Sequence, residues 1–137
     1  MSHHQPSDLE VRPDPAWPAW LRSEFETNRD NGHVGTELLS ESERVRVWHL
    51  AVRPGERLPV HRHVLDYFWT ALAPGKARSH YHDGRTVEAE CRQGDTQHYR
   101  FGPDQFMMHD LENIGDSVLA FTTVEFLDSS NPPLPVR

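Results

Sequence analysis

The sequence predicts an all-β domain, a sandwich or barrel of seven or eight short strands with one short helix before it. From Val34 onward, apolar and polar residues alternate with the period of two that is typical of half-buried strands. Turn-forming dipeptides such as Asp83-Gly84 and Gly94-Asp95 separate the alternating runs at short intervals. Many short strands at this spacing favour a closed or two-sheeted β architecture.

The segment from Pro18 to Thr27 is the only one for which the pattern predicts a helix. Pro18 suits a first helical position, because its missing N–H has no helical partner there anyway. Trp20, Leu21 and Phe25 lie roughly on one face of such a helix. This helix belongs to a Pro-containing N-terminal leader.

The remaining elements are strands, followed by a proline-rich tail that cannot join a central strand and should wrap the outside. We therefore divide the chain into a leader with a short helix (residues 1–33), a barrel (34–127) and a C-terminal tail (128–137). The predicted strands cover residues 45–52, 58–63, 67–73, 77–82, 86–91, 96–101, 105–111 and 118–127.

Composition excludes several classes of function. The chain has 137 residues and a formal net charge of −7, which argues against a nucleic-acid partner because phosphates require clustered Lys and Arg. Cys91 is the only cysteine, so internal disulfides and thiol-rich zinc sites are excluded. No run approaches the ~18 apolar residues of a membrane span, and no signal peptide is visible. We expect a soluble cytoplasmic protein.

The segment His61-Arg-His63 is the sharpest local feature. Residues i and i+2 of a strand point to the same face, so both imidazoles can reach one metal ion. Taken alone, such a pair is more often two ordinary solvent-facing residues on an edge strand. A third ligand elsewhere in the chain is needed to make a site.

The wider spacing resembles the two signature motifs of the cupin superfamily. Gly55, His61, His63 and Gly75 match the first motif, and a histidine followed at the fourth residue by Asn113 matches the end of the second. The resemblance spans residues 34 to 127. It implies a double-stranded β-helix (the jelly-roll barrel) that holds a divalent metal ion, such as Fe, Ni, Zn or Mn, on three histidines: His61, His63 and His109.

The sequence departs from the cupin pattern at the glutamate that usually completes the metal site. Phe68 or Tyr67 occupies its position, depending on spacing, and neither is a carboxylate. Asp66 or His98 is a candidate fourth ligand, but regular strand alternation from His63 would point Asp66 away. Three imidazoles leave coordination positions open, as in catalytic sites, and resemble the iron site of cupin thiol dioxygenases. The missing glutamate equally fits a cupin that has lost its metal.

For several further residues, the sequence gives weaker evidence of a functional role. His80 and His82 form a second pair, which we interpret as a polar strand end near a hairpin tip, with pocket lining as the alternative. Tyr67 or Trp69 is expected to border the ligand cavity. Cys91 has no neighbour that would lower its pKa, and we expect a small buried strand residue.

The C-terminal part, from His109 through Thr122-Thr-Val-Glu-Phe126, resembles small single-domain cupins named for β-alanine degradation in polyamine catabolism. We expect a metal-dependent enzyme that acts on a small metabolite by dioxygenase-like or Lewis-acid chemistry. The alternatives are a non-catalytic small-molecule binding module and a metal-free relic. A homodimer is expected, because a partner chain would shield the aromatic residues of the leader from water.

Overall fold

The computed structural model describes residues 10–136, and these form two antiparallel β-sheets with one helix. The prediction of an all-β fold with a short N-terminal helix is confirmed. The elements are α1 (Ala19–Thr27), β1 (Glu37–Glu41), β2 (Val45–Val52), β3 (Arg57–His63), β4 (Tyr67–Ala71), β5 (Gly75–His80), β6 (Thr86–Cys91), β7 (Thr96–Tyr99), β8 (Met107–Asn113) and β9 (Leu119–Phe126).

The strands are shared between a five-stranded sheet, in the order β1-β2-β9-β4-β7, and a four-stranded sheet, in the order β3-β8-β5-β6. The inner face of the larger sheet follows the alternation in the sequence. On β2, Trp48, Leu50 and Val52 are buried, whereas the residues between them are more exposed. They pair in register with the inward residues of β9, so both strands bury one face.

Strand β1 is absent from the sequence prediction. Its residues are mostly exposed, and its pairing with β2 shifts register between Leu38 and Ser40. Such a bulge interrupts the alternation of inward and outward side chains, so the segment lacks the period of two by which strands are recognised. The strand forms because it pairs with β2, and its own pattern does not predict it.

Helix α1 covers the outer face of the smaller sheet. Leu21 and Phe25 are almost fully buried there, against Val60 and Met108. The side chain of Asn28 donates a hydrogen bond to the carbonyl of Val60 at 2.9 Å, which satisfies a backbone group on edge strand β3. Of the predicted apolar face, Leu21 and Phe25 therefore form the docking surface, whereas Trp20 is 57% exposed.

A chain of ion pairs, from partly buried to buried, fixes the helix to the sheet. The guanidinium of Arg57 on β3 donates to Glu24 of α1 and, at 2.8 Å, to Asp110 of β8. Asp110 is 1% exposed at its side chain and also accepts the backbone N–H of His80 at 2.7 Å. Each charge has a partner, as burial requires.

The glycines and asparagine of the sequence motif have structural roles. Gly55 has a φ of +82°, a conformation that glycine adopts without strain. A Cβ atom at Gly75 would lie 2.6 Å from Cδ2 of Leu119, so a larger residue there would require the buried Leu119 side chain to shift. The amide of Asn113 donates to the carbonyls of Val52 and Ser117, each at 2.8 Å, and so ties β8 to the turn that follows it.

The C-terminal tail lies along the outside of the sheets, as expected for a proline-rich segment. Asn131 is buried and donates to the carbonyls of Val64 and Gly102 at 3.1 and 3.0 Å. Leu134 packs against the cluster beneath α1. No helix among residues 10–136 is long and apolar enough to cross a membrane.

Candidate metal centre

The three predicted histidines lie on two paired strands of the smaller sheet. His61 and His63 are two residues apart on β3, and His109 of β8 is the cross-strand partner of His61. The pairing shifts register between Leu58 and His61, where Pro59 cannot donate to the ladder. This irregularity places the side chains of Leu58 and His61 on the same inner face, despite their odd spacing.

The three imidazoles converge. One nitrogen atom from each ring lies within 4.8 Å of the corresponding atoms of the other two. The Nε2 atoms of His63 and His109 are 3.3 Å apart. Two nitrogens that share a tetrahedral zinc-like ion at ~2.1 Å each would be about 3.4 Å apart, so this pair is already at ligand spacing.

The hydrogen bonds of the rings leave nitrogens available to an ion. His61 Nδ1 lies 2.9 Å from the carbonyl of Pro59, which favours a proton on Nδ1 and leaves Nε2 as the free donor atom. The Nδ1 atoms of His63 and His109 are buried and have no hydrogen-bond partner. Buried nitrogens without partners are rare, but the atoms that converge are the Nε2 nitrogens of His63 and His109, 3.3 Å apart. The donor set therefore fits a divalent metal ion.

Electrostatics keep these imidazoles neutral. Burial lowers the pKa of His61 to about 4, against a smaller opposing effect of the hydrogen bond to Pro59. Burial, followed by repulsion from the neighbouring histidines, places the pKa values of His63 and His109 well below the usual 6.5. A metal ion binds only deprotonated imidazole, so the three side chains are ready as ligands at neutral pH.

The histidines form one end of a cavity of about 180 Å³ between the two sheets. The remaining walls are mainly aromatic and aliphatic, with a few small polar groups. They include Leu50, Tyr67, Trp69, Ala77, Ser79, Tyr81, Val87, Ala89, Cys91, Tyr99, Leu111, Phe121 and Thr123.

Tyrosine rings stack directly on two of the histidines. The ring of His63 lies 4.1 Å from that of Tyr67, with 9° between their planes, and Tyr67 stacks in turn on Tyr99. Tyr81 stacks on His109 with centroids 5.1 Å apart. Burial raises the pKa of Tyr67 and of Tyr81 well above 10. Both phenols are therefore neutral at neutral pH and able to donate hydrogen bonds.

The two candidates for a fourth ligand lie away from the centre. Asp66 accepts the backbone N–H of Phe101 at 2.8 Å, in the segment where the chain passes from one sheet to the other. His98 is exposed on edge strand β7 and packs beside Phe68 on the outer face of the larger sheet. Among residues 10–136, the three histidines are grouped without a carboxylate.

The second histidine pair has a different environment from the one expected. His82 lies near the hairpin tip, as expected, but it is fully buried and accepts the backbone N–H of Met108. His80 contacts Asp110 outside the cavity. The pair does flank the Asp83-Gly84 turn, where the N–H of Gly84 donates to the carbonyl of Tyr81.

Sequence reasoning found part of the cavity wall. Tyr67 and Trp69 both line it, where one of the two was expected. Cys91 also lines it and is only half-buried, although burial raises the pKa of its thiol, in line with an unreactive cysteine. Tyr81 and Tyr99 also line the cavity and were missed; Tyr81 lies beyond the end of β5, where strand alternation gives no signal.

The architecture and the histidine-lined cavity together define the class of fold. No protein-family model matches the sequence, and no curated protein matches it. The chain has the double-stranded β-helix fold of cupin proteins, on the evidence of its solved structural neighbours.

Three of these neighbours show the extent of the likeness. A cupin domain from Bordetella pertussis Tohama I is 23% identical, covers 70% of this chain and 94% of its own, and has a TM-score of 0.59. A double-stranded β-helix protein from Klebsiella pneumoniae is 21% identical over 77% of this chain and 80% of its own, at 0.55. An RmlC-like cupin from Methanocaldococcus jannaschii is 20% identical over 66% and 76%, at 0.53. At these identities, the comparison concerns the fold.

Proposed function

We propose that the protein is a metal-dependent enzyme that acts on a small metabolite, with a divalent ion held by His61, His63 and His109. The observation that carries this proposal is the convergence of three neutral imidazoles at the wall of a cavity between the two sheets. Burying three polar rings together is unfavourable unless something satisfies their nitrogens, and a shared ion does so.

The set of ligands suits chemistry at an open metal site. Imidazole donors accept Fe, Ni or Zn, and Mn remains a candidate; such an ion supplies Lewis-acid polarisation or, when redox-active, activation of dioxygen. The protein contributes the rest of the site. Tyr67 and Tyr81 stack on two of the imidazoles and offer neutral phenols beside them.

Metal analysis of untagged protein tests the proposal. We expect about one divalent ion per chain, and replacement of both His61 and His63 by Ala should abolish it while the sheets stay folded. The matched control removes His49 and His98, which lie outside the cavity, and should retain the metal. Full metal content in the His61→Ala/His63→Ala variant, measured by elemental analysis and with circular dichroism unchanged, would place the site elsewhere.

A non-catalytic binding module is the second candidate. The observation that favours it is the lack of an evident base: Glu90 and Asp95 are the only carboxylates that line the cavity within residues 10–136. Glu90 forms an ion pair with Lys76, and Asp95 accepts a backbone N–H from Arg92. Turnover of a candidate metabolite by metal-loaded protein separates the two functions, since a binding module would bind the metabolite unchanged.

We also propose a homodimer with a cytoplasmic location. Trp17 and Phe25 pack within one chain and do not need a partner. The proposal therefore depends on two exposed apolar residues, Trp20 and Leu39, the latter on edge strand β1. Light scattering at micromolar concentration tests it, and a monomer mass would refute it. The β-alanine degradation type has no support from the comparisons and remains a prediction from the sequence alone.

A further inference from the structure

We infer that the cavity accepts small apolar molecules that carry one anionic, metal-binding end and no second anionic group. This inference rests on the proposed function, because the metal ion at the three histidines would hold the anionic end. The inference concerns which ligands the rest of the cavity would select. It depends on the volume of the cavity and on the charges of its lining residues.

The size of the cavity sets the size of the ligand. A volume of about 180 Å³ is slightly larger than the ~150 Å³ apolar cavities that bind benzene. The cavity therefore accommodates a single ring or a short chain, on the order of ten non-hydrogen atoms. Apolar side chains such as Leu50, Leu111 and Phe121 line its walls, so the ligand's body should be apolar.

The histidine end favours an anion. Imidazole is the only type of side chain in the cluster, and among residues 10–136 no carboxylate joins it. A divalent ion bound there would keep its full double charge in a buried site. An anionic donor from the ligand, such as a carboxylate, would offset part of that charge.

Among residues 10–136, the rest of the cavity has no cationic side chain that would bind a second anionic group. None of the lining residues in the described chain is Lys or Arg. At the open side, between edge strands β6 and β7, the wall is formed by apolar Val87 and Ala89. Asp95 and Glu90 also border the cavity, but the carboxylate of Glu90 is paired with Lys76. A second carboxylate on the ligand would lose hydration without gaining a partner, which typically weakens binding about tenfold or more.

A matched pair of probes tests this selectivity. Hexanoate and adipate have the same chain length, but adipate ends in a second carboxylate. Zinc-loaded protein is titrated with each by isothermal calorimetry at pH 7.5. We expect hexanoate to bind more than fivefold tighter than adipate. A ratio of fivefold or less, or no binding of hexanoate at millimolar concentration, overturns the inference.

A gain-of-function variant tests whether the lack of a cation in the cavity wall causes the selectivity. Val87 faces the cavity from an edge strand and is 38% exposed, so Val87→Lys places a cation at the opening without disturbing the core. This variant should bind adipate at least fivefold tighter than the unmodified protein does, with hexanoate changed less than twofold. Glu88→Gln is the control, because it changes the net charge equally but lies on the outward side, beside Arg78. An equal gain of adipate affinity in the control overturns the proposed mechanism of selection.

Failure of the inference is distinguishable from failure of the proposed function. Zinc content is measured before each titration, so protein that binds no zinc refutes the metal site and, with it, both proposals. Protein that binds zinc but does not prefer hexanoate refutes only the inference about ligand charge.

Discussion

Replacing Glu125 by Gln should stabilise the protein at neutral and alkaline pH. Glu125 is 3% exposed, and its Oε1 accepts the indole N–H of Trp48 at 2.8 Å. Burial raises the pKa of this carboxyl to about 7, despite the hydrogen bond from Trp48 and the charge of Arg46, which both act to lower it. A Gln side chain keeps the acceptor for Trp48 and removes the charge.

The magnitude follows from proton linkage. The pKa of Glu125 rises from 4.5 to about 7 on folding, so between these values the native state binds more protons than the unfolded state. Stability must then fall as pH rises through this window and stay low above it. At 1.36 kcal/mol per pH unit, the full effect is about 3 kcal/mol, an upper bound if neighbouring groups relax.

Urea denaturation of both proteins at pH 4.5, 6, 7 and 8 measures this effect. The free energy of unfolding of Glu125→Gln, relative to the unmodified protein, should rise by about 2–3 kcal/mol from pH 4.5 to pH 8. Histidine titration affects both proteins alike and cancels in the difference. Glu43→Gln, at an exposed position, is the control and should follow the unmodified protein. A constant difference between Glu125→Gln and the unmodified protein across this pH range would refute the reasoning.

Two further substitutions test the surroundings of the site. Asp66→Asn should weaken metal binding far less than His63→Ala, because Asp66 accepts a backbone hydrogen bond from Phe101 and Asn can still accept it. Equal losses in metal titrations would show that Asp66 binds the ion. Asp110→Asn should lower the free energy of unfolding by about 3 kcal/mol, since it removes one charge from the buried pair with Arg57. A change below about 1 kcal/mol in urea denaturation would contradict this.

Local regularity explains what could be predicted from the sequence. His61 and His63 lie in one strand, and the two-residue repeat of a strand places them on one face without any knowledge of the fold. The position of His109 depends on the pairing of β3 with β8, and His109 lies 48 residues after His61 along the chain. Only the resemblance to a known family could predict it, because strand alternation carries no information about long-range partners.

The elements that were missed depend on contacts between strands. The alternation argument for Asp66 assumes one strand running on from His63, but β3 ends there and β4 belongs to the other sheet. Asp66 does turn away from the histidines, though its direction is set by the hydrogen bond to Phe101. Tyr81 lies after the end of β5, where an isolated bridge to His109 turns its ring inward. Neither arrangement is encoded in a local periodicity.

The histidines and much of the opposite cavity wall belong to different sheets, which affects how the ligand preference can change by mutation. All three histidines belong to β3 and β8, which are held together by their own backbone ladder. Much of the opposite wall comes from the other sheet, through Trp69 and Phe121. Substitutions in that wall can reshape the ligand space while the spacing of the imidazoles stays fixed. Binding preference and metal chemistry are thus separable by mutation, and a new preference can evolve without rebuilding the centre.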